Sequence, residues 1–212
     1  MSCANFVASR STDTSPIPGC VQQVNSFVQQ LATRQITYVP EESLVTVAFL
    51  GNDFLVPNAT TEGYVNNTKH CIDQLISKTN ATNILVATSN ASELYPFSSS
   101  LTASAPIAIK FQESPFLMRQ MLQQTKAKYP TTNMYDFDVA NILRPIANHT
   151  SPYMPQVDPS FSTTACLHMA TSERDAPLAK CANPGLTMFY DDYHPTTKVH
   201  RAIAAAAAHL VQ

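Results

Sequence analysis

Apolar positions recur at helical spacing through Cys20, Val21, Val24, Phe27, Val28 and Leu31, which predicts a helix near the start of the chain. Leu44 to Leu50 follows as a short run rich in β-branched residues, the kind of strand that lies buried in a parallel sheet. The alternation then repeats. Tyr64 to Ile76 carries helical spacing, Asn83-Ile-Leu-Val-Ala87 reads as a strand, and the Pro- and Ser-rich stretch from Tyr95 to Pro106 reads as a loop. Ser114 followed by Pro115 resembles a cap and first-turn proline, predicting a helix that runs to about Lys128, with a strand over Asn133 to Val139. Residues 147 to 187 are proline-rich without strong periodicity and are expected to form a long ordered loop. The last helix is expected to open near Pro195 and to bury Val199, Ile203, Ala206 and Leu210 on one face.

Alternating helices and strands of this length imply an α/β fold, a parallel sheet with helices on both faces and working loops at the carboxyl ends of the strands. At 212 residues, with no internal repeat and no break in composition, one domain is expected. Gly51-Asn52-Asp53 falls at a strand end, and Asp191 and His194 fall just before the last helix.

Composition narrows the function. Hydrophobic residues make up 44% of the chain, and a mean hydropathy of -0.09 is ordinary for a globular protein. A net charge of -2 with 13 Lys and Arg leaves no basic stripe for phosphates, so no nucleic-acid partner is expected. No run approaches the roughly 18 apolar residues of a membrane span, and Ala202 to Ala208 reads as a core helix. Cys3, Cys20, Cys71, Cys166 and Cys181 show no Cys-x-x-Cys spacing; disulfides are the expected use, with the pair Cys166 and Cys181 a candidate for closing the long loop. Five sequons, at Asn58, Asn66, Asn80, Asn90 and Asn148, join the cysteines in pointing to a secreted, extracellular glycoprotein. The first ten residues hold no charged leader and apolar core, so an export signal is expected to lie outside this chain.

Asp191 and His194, three residues apart on a turn, suit a base and its orienting carboxylate. The plain alternative is an aspartate that caps a helix start by accepting backbone amides. Gly51-Asn52-Asp53 suits a donor aimed at a reacting oxygen, or an ordinary strand-ending turn. His200 reads as a surface or packing residue, and His70, His149, His168 and His209 lack metal-like spacing, so neither metal nor cofactor is expected. Ser98-Ser99-Ser100 has no nucleophile elbow around it. A cysteine hydrolase pairing a free thiol with a histidine is a further alternative, although Cys71 reads as core.

Phe189-Tyr-Asp191-Asp-Tyr-His194-Pro195-Thr196 resembles the closing Asp-x-x-His-Pro-Thr block of the SGNH, or GDSL-type, hydrolases, especially the lipase and thermolabile-hemolysin-like branch. Gly51-Asn52-Asp53 resembles that family's Gly-x-Asn-Asp block, and Asn83 to Ala87 and Tyr135 to Val139 fall where it places later strands. The resemblance implies a three-layer α/β/α fold with a mostly parallel sheet of flavodoxin-like type. It also implies hydrolysis of a small ester or lipid, with His194 as general base, Asp191 as its carboxylate and Asn52 as an oxyanion-hole donor. The 212 residues contain no Gly-Asp-Ser, the block that carries the family's nucleophile. The expectation is therefore a carboxyl-terminal part lacking the first strand, inactive by itself and prone to self-association through exposed sheet edges. The alternative is a non-catalytic glycoprotein that uses the scaffold for binding.

Overall fold

The computed structural model describes residues 19–49, 52–55, 59–100, 105–167 and 181–212. Five helices and five strands occur among them. The chain divides into two compact units, Met1–Ser89 with Ile109–Phe137 and Asn90–Ala108 with Asp138–Gln212.

The first unit is built on a sheet whose strands lie in the order β1 (Val45–Val47), β2 (Asn83–Ser89) and β3 (Asn133–Asp138). β1 and β2 are parallel, with Val45, Thr46 and Val47 opposite Ile84, Leu85 and Val86. β2 is the central strand, which explains its near-continuous apolar run: Ile84, Leu85, Val86 and Ala87 are all buried. Among the described residues the other edge of β1 pairs with no strand. A cavity of about 480 Å³ is lined there by Tyr38, Leu44, Val45 and Val47, with Cys20, Val24 and Phe27 of helix α1 (Cys20–Ala32). The Tyr38 hydroxyl is buried without a hydrogen-bond partner among the described residues.

Helix α2 (Thr61–Thr79) is capped at both ends by its own sequence. The Thr60 hydroxyl accepts the Gly63 amide at 3.0 Å, and Asn80, at φ 54°, takes the left-handed turn and donates its amide to the Ile76 carbonyl at 3.0 Å. Its buried stripe of Tyr64, Val65, Thr68, Cys71, Ile72 and Leu75 keeps the helical period. A disulfide joins Cys71 to Cys20, so the thiol that reads as core is core and is bonded.

Helix α3 (Pro106–Lys128) departs from the sequence expectation. Its end agrees, but it opens eight residues before Ser114, and Pro115 lies inside it. An interior proline costs about 3 kcal/mol because it cannot donate to the carbonyl four residues back. Here that carbonyl belongs to Phe111 and accepts the Ser114 hydroxyl at a long 3.5 Å. Burial of Phe111, Met118, Met121 and Leu122, roughly 1.5–3 kcal/mol each, outweighs the loss.

The second unit holds helix α4 (Ala140–Ala147), strands β4 (Ser162–Ala165) and β5 (Thr187–Phe189), and helix α5 (Thr197–Leu210). β4 and β5 pair in parallel, Ser162 opposite Thr187 and Ala165 opposite Phe189. The expected loop over residues 147–187 thus contains a strand and leads into another. Cys166 and Cys181 are joined by a disulfide just beyond β4, and the Cys181 amide donates to the Cys166 carbonyl at 2.7 Å. The segment from Tyr95 to Pro106, expected as loop, includes a 3-10 helix over Pro96–Ser100. α5 buries Val199, Ala202 and Ala206, whereas Ile203 is only half-buried and Leu210 is 41% exposed. The burial face is therefore narrower than expected and runs along small residues.

Candidate active site

The last turn of the second unit begins with β5. Thr187, Met188 and Phe189 are all buried, and the chain then folds back on itself so that Phe189 forms an antiparallel bridge with Pro195. The Tyr190 amide donates to the His194 carbonyl at 2.7 Å, and the Thr196 amide donates to the Met188 carbonyl at 2.9 Å. The buried Thr196 hydroxyl donates within reach of the Thr187 and Met188 carbonyls, at 3.1 and 3.3 Å. These bonds close a tight loop, residues 190 to 194, ahead of α5.

Inside the loop, Asp191 Oδ1 accepts the amides of Tyr193 and His194, each at 2.8 Å. The His194 ring nitrogen Nδ1 lies 2.8 Å from both Asp191 carboxylate oxygens. Asp191 thus accepts two backbone amides and lies against the imidazole. The amides belong to the loop rather than to the first turn of α5, whose N-cap position is Thr196. The Asp191 side chain is 14% exposed and that of His194 71% exposed. A proton on Nδ1 facing the carboxylate leaves Nε2 as the basic nitrogen, on the open side of the ring.

The 3-10 helix Pro96–Ser100 braces the loop from the same unit. The Phe97 amide donates to the Asp192 carbonyl at 3.2 Å, and the Phe97 ring stacks on Tyr193 at 4.9 Å between centroids. Tyr95 packs on Phe189 at 4.9 Å; burial, with the Glu93 charge, pushes its phenol up to about 12, so it stays neutral. The Ser98 hydroxyl donates to the Tyr95 carbonyl at 2.7 Å. Neither this brace nor the Thr196 clasp was singled out from the sequence. Pro96 was the one local signal, since it fixes the backbone where the 3-10 helix starts.

His194 lines a groove of about 790 Å³ together with Tyr190, Pro195, Lys198, His200 and Arg201. His200, expected to be a surface or packing residue, is exposed, and its amide donates to the Thr196 carbonyl at 2.9 Å.

Asn52 belongs to the first unit, where it opens the 3-10 helix Asn52–Leu55 after β1; Leu50 and Gly51 lie outside the described residues. The helix is anchored by Phe54, packed edge-on against Tyr64 and Phe111 at 4.8 and 5.2 Å. The Tyr64 hydroxyl donates to the Phe49 carbonyl, and the Lys110 ammonium to that of Phe54 at 3.4 Å. Burial pushes the Asp53 carboxyl up to about 6, against the smaller opposing effect of a bond from its own amide.

Of the five cysteines, Cys20, Cys71, Cys166 and Cys181 are bonded in pairs, and Cys3 lies outside the described residues. Among the described residues no three His, Cys, Asp or Glu side chains group as metal ligands. No described helix is long and apolar enough to cross a membrane. Of the sequon asparagines, Asn66, Asn80 and Asn148 are exposed and Asn90 is buried, while Asn58 lies outside the described residues.

The GDSL-like Lipase/Acylhydrolase model matches residues 4–207. The chain belongs to the GDSL-like lipase/acylhydrolase family. No curated protein matches it. At a coarse level the family supports a hydrolase of the lipase and acylhydrolase kind, and the mixed α/β architecture with parallel strand pairs is consistent with its fold.

Proposed function

We propose that the protein hydrolyses carboxylic esters by a serine mechanism in which His194 is the general base and Asp191 its orienting carboxylate. The observation that carries this reading is the Asp191–His194 contact, 2.8 Å to Nδ1 with Nε2 on the open side of the ring. Imidazole takes the proton from a serine hydroxyl as it attacks the ester carbonyl and returns it to the leaving alcohol. The carboxylate holds the tautomer and favours the imidazolium. Asn52 is assigned the role of donor to the oxyanion, by its place in the Gly-Asn-Asp turn; losing such a donor costs about 100- to 1,000-fold in turnover. The nucleophile is assigned to a Gly-Asp-Ser segment outside these 212 residues. We further propose that the protein is secreted and glycosylated.

The test is fluorophosphonate labelling of the protein isolated from its source, with intact mass and amino-terminal sequence after deglycosylation. A labelled product heavier than 23.2 kDa, whose labelling disappears in His194→Ala, is the expected result. A product of 23.2 kDa that takes no label would sink the catalytic reading in favour of a binding protein on the same scaffold.

Self-association is part of the proposal. Val45-Thr46-Val47 has one edge without a partner among the described residues and carries neither charge nor proline to block another strand. Sedimentation of the chain is expected to show concentration-dependent dimers, and a monomer at every concentration would count against the idea.

A further inference from the structure

The groove that His194 lines has a chemistry that a neutral ester does not need. Tyr190, 49% exposed, and Pro195 give it an apolar part. Lys198 and Arg201 give it a cationic part, with His200 between them in sequence, and among the described residues that line it none is acidic. The chain as a whole carries more acids than Lys and Arg, 15 against 13, so a lining with cations and no acid is a local reversal of the overall balance. Of the acids outside that lining, Asp191 lies 2.8 Å from the His194 ring, and Asp158, which feels the Lys198 charge, is already bound by the Ser160 hydroxyl and amide. The Lys198 ammonium lies 5.4 Å from the centre of the Phe161 ring, a contact that steadies the side chain without neutralising it.

We propose that this groove binds an amphiphilic ester carrying an anionic group, with the anion held by Lys198 and Arg201 and the apolar part against Tyr190. The proposal rests on the reading of His194 as the base, because it places the charged end of the substrate beside that ring. Arg201 offers a planar fork suited to phosphate or carboxylate, and Lys198 a point charge next to it. The anion orients the ester without taking part in the chemistry, and binding energy gained there is available for positioning.

The test reads binding and needs no turnover. The folded chain is titrated with dihexanoyl phosphatidic acid, neutral dihexanoylglycerol and inorganic phosphate, following the imidazole resonances of His194 and His200. The anionic lipid is expected to bind about tenfold tighter than the neutral one, with saturable shifts at both histidines. Lys198→Ala with Arg201→Ala should abolish that difference, and circular dichroism of the double variant checks its fold. Arg201→Lys, which keeps the charge, should restore part of it in the single variant. Equal affinity for the two lipids, or an unchanged preference in a folded double variant, would overturn the proposal. Inorganic phosphate binding as tightly as the lipid would overturn the ester as occupant. A chain that binds the anionic lipid but resists fluorophosphonate in its source form refutes the hydrolase reading alone; one that is labelled yet shows no preference refutes this inference alone.

Discussion

Asp191 Oδ1 holds His194 at both ends, 2.8 Å from its amide and 2.8 Å from its ring Nδ1. One carboxylate thus fixes the backbone and the imidazole together, so position and tautomer of the base are not independent.

Asp191→Asn separates the two roles. The amide oxygen of asparagine still accepts both backbone amides, so the melting temperature should barely move. Turnover in the catalytically complete protein should fall by about 10³- to 10⁴-fold, the scale seen when a triad aspartate loses its charge. Asp191→Ala should lose activity and also the loop, with ring ¹⁵N shifts reporting the loss of a single tautomer. A fully active Asp191→Asn enzyme would remove Asp191 from the mechanism.

Thr196→Val keeps the shape of a buried side chain but withdraws its hydroxyl from the Thr187 and Met188 carbonyls. The expected cost is about 1–3 kcal/mol in urea denaturation, since the single hydroxyl proton shared between these buried carbonyls is lost, while the Met188 carbonyl keeps the Thr196 amide. Thr196→Ser should recover most of it. In the complete enzyme kcat should drop more than KM rises, because the residue positions His194 without reaching the substrate.

Asp53 makes stability depend on pH in a stated direction. Its carboxyl titrates at about 6 in the folded chain against an ordinary value of 3.8, so the folded state holds that proton more tightly. Its contribution is greatest in acid, declines as pH rises from about 4 to 6, and is lost above that. Urea melts of the native chain and Asp53→Asn between pH 4 and 7 should diverge by on the order of 1 kcal/mol after allowance for solvent screening, the variant being favoured at pH 7. Parallel curves would show that the group is solvated.

Glycan mapping separates the sequons. In the folded, secreted fraction from a eukaryotic host, Asn66, Asn80 and Asn148 should carry sugar, because their side chains are exposed. Asn90 should not, because it is 9% exposed at the end of β2 and a glycan there must displace packed chain. Deamidation at Asn90 after enzymatic deglycosylation would contradict this.

What was legible in the sequence follows from where period and burial agree. α1, α2 and β2 have long, regular apolar patterns, and their spans differ from expectation by only a few residues. The Asp191–His194 pair was legible because three residues on a turn is a spacing a ring and a carboxylate can bridge. β4 and β5 were not, for opposite reasons: Thr163 and Thr164 are exposed, so Ser162 to Ala165 has no apolar signature, and Thr187 to Phe189 is too short for one. The first turns of α3 were hidden by Pro115, whose helix-breaking tendency is local while the burial that overrides it comes from tertiary packing. α4 (Ala140–Ala147) was missed, with Pro145 interrupting a strongly one-sided apolar pattern.

The order in which the chain visits its two units bears on how the protein comes apart. It passes from one unit to the other after Ser89, returns at Ile109 and leaves again after Phe137. Neither unit is a continuous stretch of polypeptide. A fragment ending at Ser89 keeps β1 and β2 but loses the third strand of its sheet, and one starting at Asp138 keeps the Asp191–His194 loop but loses the Phe97 brace. Each disulfide closes within a single unit, so no covalent crosslink compensates for such a cut. Proteolysis at any one crossing should therefore yield two pieces that survive only while they remain associated, and neither unit can be isolated by trimming the chain from an end.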